Sequence, residues 1–301
     1  MNCSFGLHPV RSISLPSRLH PTSLRVETEL DKLKIWEASL PSLEESIGGQ
    51  SILKGLHGLA ELYNSVDELL HTTSTQESIL HHQDGKVFEE ALEGSVTLLD
   101  AGGCAKDLLS NMKEHVQGLQ SSLRRRGGDS IQQDVNAYNA FRKKAKKEAL
   151  KCIRSLKRAE GKFVFLPLLD LDPHLLMVIR VLRELSNITS VIFRYLLLFL
   201  STPSLLKTKL GGCSLISKLM PVGLVNNEKG KKINNEVGRI DVALCNLSAH
   251  ARDSSATDEV GTVQKKLMAL ADNINGLESG IDTAIRRVIQ YRVSLLNVLT
   301  R

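Results

Sequence analysis

The chain has 301 residues, of which 42% are hydrophobic and 24% charged, which excludes an intrinsically disordered protein and allows one large or two small globular domains. Aromatic residues make up only 4%, so a core of Leu, Ile, Val and Ala favours helices over a β-sandwich or barrel. A net charge of +6 permits anionic partners without requiring one, and five scattered cysteines (Cys3, Cys104, Cys152, Cys213 and Cys245) with no CxxC pair read as reduced intracellular thiols.

Residues 1–25 read as a disordered basic arm. Arg11, Arg18 and Arg25, several serines and no acid before Glu27 give the composition of an organelle transit peptide. Pro9, Pro16 and Pro21 interrupt the amphipathic helix such a peptide needs, so the cytoplasm is the expected compartment, with a plastid or a membrane surface as alternatives. Within the arm, Arg11, Ser12, Ser14 and Pro16 spell R-S-x-S-x-P. Phosphate on Ser14 would add up to about two negative charges, and the spacing matches the phosphoserine ligand of 14-3-3 proteins. Left unmodified, Ser14 is an ordinary arm residue.

A helical bundle is expected over 26–204. Its first helix spans Val26 to Ser39 and stops at Pro41, and a second runs from Ile52 to Leu70. The third spans Val87 to Leu99, carrying Val87, Ala91, Leu92, Val96 and Leu99 on one stripe, and the Gly102-Gly103 pair is expected to end it. Ala105 to Leu123 follows, closed by Arg124, Arg125 and Arg126 ahead of Gly127 and Gly128, since terminal cations and glycine satisfy a helix C-terminus. Asp129 or Ser130 can cap a fifth helix reaching about Ala159.

That fifth helix holds the segment Arg142 to Arg158, with nine Lys or Arg against Glu148 alone. Val135, Tyr138, Phe141, Ala145, Ala149, Ile153 and Leu156 can share one face. Arg142, Lys143, Lys144, Lys146, Lys147, Lys151 and Arg154 are then candidates for a basic interaction face that lies on an anionic membrane or meets a phosphate backbone. A solvated cationic face of a bundle helix is the bland alternative. No aromatic platform interleaves the cations, which argues against nucleic acid as the ligand.

Pro167 and Pro173 bracket a loop before the most hydrophobic segment, His174 to Leu200. Its fully apolar run is shorter than the ~20 residues of a membrane span, and extending it takes in Arg180, Arg183, Glu184 and Arg194. A central helix buried by its neighbours is expected, with a membrane-embedded hairpin as the alternative. Residues 205–232, with Gly211, Gly212, Pro221, Gly223 and Gly230, read as a loose linker. Helices over 233–301 start near Glu236 and Thr257 and pack on the bundle.

The last of these has the strongest pattern in the chain. Val260, Val263, Leu267, Leu270, Ile274, Leu277, Ile281, Ala284, Val288, Tyr291, Leu295 and Val298 follow the heptad a/d spacing without a break. Ala271, Ile285 and Leu299 widen the stripe, which favours packing within the chain over a two-stranded coiled coil. Gly276 and Gly280 would allow a close helix approach.

Catalytic signatures do not accompany this architecture. There is no HExxH, GxSxG or GxGxxG, His81 and His82 are adjacent and cannot face one metal as an i,i+4 pair would, and Gly223 to Lys231 lacks phosphate-loop spacing. No enzyme activity, cofactor, metal or small-molecule substrate is expected.

Several blocks in colinear order resemble one family. RSISLPSRLHP with ELDKLK resembles its opening, and LEGSVTLLDAGGCAKDLLSNMKEHVQGLQSSLRRR its central segment. FRKKAKKEALKCIRSLK resembles its basic helix, VIRVLRELSNITSVIFRYLLLFLS and LISKLM two further stretches, and LESGIDTAIRRVIQYRVSLLNVLT its closing helix. The family is plant-specific, of unknown biochemical function, and related to the BYPASS proteins. Cys213 stands where a tryptophan is common, and Arg194 charges a stretch that is usually less so. The resemblance implies a helical regulatory or scaffold protein connected with root and shoot development, with no catalytic residues to carry over. An all-α multi-helix bundle with a long C-terminal amphipathic, coiled-coil-like helix, working through protein partners, is the combined expectation; peripheral binding of anionic lipid through 142–158 is the alternative.

Overall fold

A computed structural model describes residues 21–40, 47–81, 85–125, 128–160, 172–201, 235–249 and 256–300, and among these the chain forms eight helices and no strand. They are α1 (Pro21–Ser39), α2 (Gly49–Leu70), α3 (Thr73–His81), α4 (Lys86–Arg125), α5 (Gly128–Glu160), α6 (Pro173–Ser201), α7 (Glu236–Ala249) and α8 (Ala256–Leu299). The phospho-motif residues Arg11, Ser12, Ser14 and Pro16, and the 205–232 linker, lie outside the described residues.

α8 lies between α2 and α4. Every a/d position from Val263 to Val298 is buried, Val260 is half-buried, and Ala271, Ile285 and Leu299 pack beside the seam. Contacts on α2 advance in step with those on α8: Gln50 meets Asn273, Tyr63 meets Tyr291 edge-on at 5.7 Å, and Asp67 meets Ser294, so the two helices run parallel. The glycines make this approach close. A Cβ on Gly280 would stand 3.0 Å from Leu56 Cδ1, and one on Gly276 would stand 3.1 Å from Leu53 Cδ2.

α4 runs antiparallel to α8, fixed by Lys113 and Ser110 on Glu278, Lys106 on Asp282 and Arg292 on Ser95. Here the structure departs from the sequence expectation. The Gly102-Gly103 pair does not end a helix; α4 continues unbroken for 40 residues. Gly102 is a contact point, since a Cβ there would come within 3.0 Å of Ile285 and 3.3 Å of Phe193, and helical glycine costs only ~1 kcal/mol of propensity. Val96, expected on the buried stripe, is 43% exposed.

Two boundaries also differ. α1 begins at Pro21, inside the expected arm, because proline suits the first helical position and Arg25 reaches Glu68 on α2 at 2.7 Å. α3 has no counterpart in the sequence reading. Its Ser/Thr-rich turns hide a short helix that buries Thr75 and Ile79, with Thr72 at its start hydrogen-bonded to the Thr75 hydroxyl at 2.8 Å. Ser130, a candidate cap of α5, sits within its first turn instead, 3.1 Å from Ser122.

α6 runs alongside α4 and is covered by α1, α2, α4 and α5, burying Val178, Leu185, Phe193, Leu197 and Leu200 among others. Its charges stay at the rim and are paired: Arg180 with Glu27, Glu184 with Lys34, Arg194 with Glu160. No helix among the described residues is long and apolar enough to cross a membrane.

Candidate functional site

α5 presents two opposed faces. The inner one buries Val135, Tyr138, Ala145, Ala149, Ile153 and Leu156 against α4 and α6, with Phe141 half-buried beside His115 at 4.8 Å between ring centres. Arg142 belongs to this inner face. It keeps only 9% of its surface exposed, so it leaves the candidate interaction face. The physical reason is a partner: Asp241 of α7 accepts hydrogen bonds from Arg142 Nε at 3.1 Å and from a terminal guanidinium nitrogen at 3.1 Å. Tyr138 donates to the same carboxylate at 2.8 Å, and Arg142 also donates to the Leu200 carbonyl at the end of α6. Burial, and then the Asp241 charge, hold the Tyr138 hydroxyl well above its ordinary pKa, so it stays a donor. Asn235 completes the knot, capping α7 by accepting from Gly238 N–H at 2.8 Å while donating to the Phe199 carbonyl at 2.9 Å. This buried network fixes α7 on α5 and α6. Its satisfied donors make it a structural device.

The spacing contained this signal. Tyr138, Arg142, Ala145, Ala149 continue the three-and-four step of the buried side, which places Arg142 on the seam whatever its charge.

The outer face is cationic. Lys143, Lys147, Lys151, Arg154 and Arg158 fall within about 80° of one another at 100° per residue, all are exposed, and none forms an ion pair among the described residues. At 1.5 Å per residue the stripe is ~22 Å long. Lys144 flanks it and faces the one acid, Glu148, at 3.9 Å, while Lys146 is half-buried. The structure thus brings Lys143, Lys147, Lys151 and Arg154 together from the sequence candidates, and adds Arg158.

A cleft of about 220 Å³ opens beyond the end of this stripe, lined by Glu90 and Glu93 of α4, Glu160 of α5, and Arg183, Asn187 and Ser190 of α6 among others. Glu160 is already held there by Ser190 at 2.6 Å and Arg194 at 2.8 Å, and Glu90 Oε2 is buried without a hydrogen-bond partner. Among the described residues no histidine or cysteine lines the cleft, and no group of three His, Cys, Asp or Glu is placed to hold a metal.

Among the described residues the chain is an all-helical bundle whose fifth helix turns a continuous cationic stripe to solvent. Residues 55–298 match the family model described as Protein BPS1, and the chain belongs to that family, whose biochemical function is not known and which is not a known enzyme family. The match bears out the resemblance to the BYPASS-related proteins. No curated protein and no solved structure matches the chain.

Proposed function

We propose that the protein is a non-enzymatic regulatory scaffold that docks an acidic protein partner on the outer face of α5, serving root and shoot development as the family resemblance implies. The carrying observation is the row Lys143, Lys147, Lys151, Arg154 and Arg158, which faces solvent along ~22 Å of a helix whose other side is occupied by the core. Assembling five like charges on one stripe is electrostatically unfavourable in the free protein, and an acidic partner relieves it while steering association.

The same geometry favours a protein over a bilayer. A helix that lies in a membrane interface uses its apolar face to enter the acyl boundary. Here that face is buried against α4 and α6, so only charge attraction remains for lipid. A phosphorylated Ser14 engaging 14-3-3 proteins is a second contact of the same scaffold and rests on the arm motif alone.

Binding of a fluorescent poly-glutamate peptide, followed by anisotropy, tests the docking face. Lys147→Glu/Lys151→Glu should weaken binding at least tenfold, whereas Lys265→Glu/Lys266→Glu on the exposed side of α8 should leave it within twofold. Equal losses from both double variants would reject the site. Stronger capture of the wild type by phosphatidylserine vesicles than by the peptide would replace the acidic protein with a lipid surface.

A further inference from the structure

The antiparallel register of α4 and α5 places two cysteines face to face. Ser122 on α4 lies opposite Asp134 on α5, and seven residues on, His115 lies against Phe141. Eleven residues back along α4 from His115 is Cys104, and eleven forward along α5 from Phe141 is Cys152. The two side chains are close enough that Cys152 raises the Cys104 pKa. Both are free and half-buried, so small oxidants reach them while larger molecules are hindered. Asp107 and Glu148 are the carboxylates near the pair. No third ligand group joins them to make a metal site among the described residues.

We propose that Cys104 and Cys152 form a peroxide-responsive pair that closes into an intrachain disulfide between α4 and α5. Burial, and then Cys152 and the two carboxylates, hold the Cys104 thiol well above its ordinary pKa and keep it protonated. One of the two thiols gives up its proton and its sulfur attacks a hydroperoxide oxygen, forming S–O as O–O breaks; with hydrogen peroxide the departing hydroxide takes up that proton and leaves as water. The second sulfur then attacks the first, forming S–S as S–O breaks, and its proton leaves with the hydroxyl as a second water. Two thiols lose two electrons and two protons, and one peroxide becomes two waters. The crosslink closes a loop of about 50 residues and fixes the register of α5 on α4, leaving Lys151 and Arg154 turned outward. It does not depend on what binds that face.

The test treats the full chain with hydrogen peroxide, alkylates the remaining thiols and maps peptides by mass spectrometry without reduction. The expected product is one peptide pair joined through Cys104 and Cys152, two hydrogens lighter than its parts and released by dithiothreitol, with the melting temperature raised by roughly 5–10 °C. Cys152→Ala and Cys104→Ala should each abolish both the link and the shift. Peroxide-treated wild type with both thiols still alkylated, or with either joined instead to Cys245, would overturn the proposal.

Discussion

α8 buries an almost wholly aliphatic seam, broken only by Tyr291, chiefly against α4 and α2 with α7 beside them, whereas α5 buries Arg142 and Tyr138 among smaller residues and gives its outer surface to lysine and arginine. On α8 the stripe alone decides placement, because any rotation of the helix would expose leucines and isoleucines worth ~1.5–3 kcal/mol each. α5 packs a smaller apolar stripe on α4 and α6, and one buried charged contact with α7, a helix about 100 residues further on, is added to it. Hydrophobic area holds α8; on α5 a hydrogen-bonded ion pair joins the packing. The outer face of α5 is left to solvent, with Lys143, Lys147, Lys151, Arg154 and Arg158 exposed along it.

The largest effect should come from the ion pair. Asp241→Ala leaves the Arg142 guanidinium buried without its counter-charge and removes the acceptor of Tyr138, so urea unfolding should show a loss of about 3–5 kcal/mol. A loss under 1 kcal/mol would mean that α5 is held by packing, as α8 is. Leu277→Ala, in the fully buried middle of the α8 seam, should cost about 2–5 kcal/mol by the same measurement, through lost transfer energy and the cavity left in the core.

A pH titration of stability probes both helices at once, because Tyr291 of α8 and Tyr138 of α5 are buried, as is Tyr63, and burial raises the pKa of all three. A tyrosine in the unfolded chain loses its proton near pH 10 while the buried one keeps it, so this stabilisation is fully present below about pH 10 and is lost as pH rises above it. Unfolding midpoints in urea should be flat from pH 7 to about 8, begin to fall near the ordinary thiol pKa of about 8.5 through the raised Cys104, and fall more steeply from about pH 10 upward, by at most ~1.4 kcal/mol per pH unit for each group. Tyr291→Phe should make the fall shallower; an unchanged slope would show that this tyrosine reaches solvent before the bundle opens.

How far each helix was legible follows from the same contrast. The α8 seam could be read residue by residue, because aliphatic side chains at three-and-four spacing fit only one face. The close approach at Gly276 and Gly280 was legible too, from spacing. Gly102 was misread as a stop because the side chains it accommodates, Ile285 and Phe193, are far away in sequence. Arg142 was grouped with its cationic neighbours because composition is local while its partner Asp241 is distant. α3 escaped notice because nine residues rich in Ser and Thr carry too little periodicity to count. The outer stripe of α5 was found in outline, with Arg142 wrongly included and Arg158 omitted.

The division of α5 into a folding face and a solvent face is tested most directly by the thermal midpoint of Lys147→Glu/Lys151→Glu, followed by circular dichroism. With both lysines exposed and outside any ion pair among the described residues, the midpoint should stay within about 2 °C of wild type, as surface changes of ~0.5 kcal/mol or less allow. A fall comparable to that of Asp241→Ala would contradict the account, since it would make the outer cations part of what holds the bundle together.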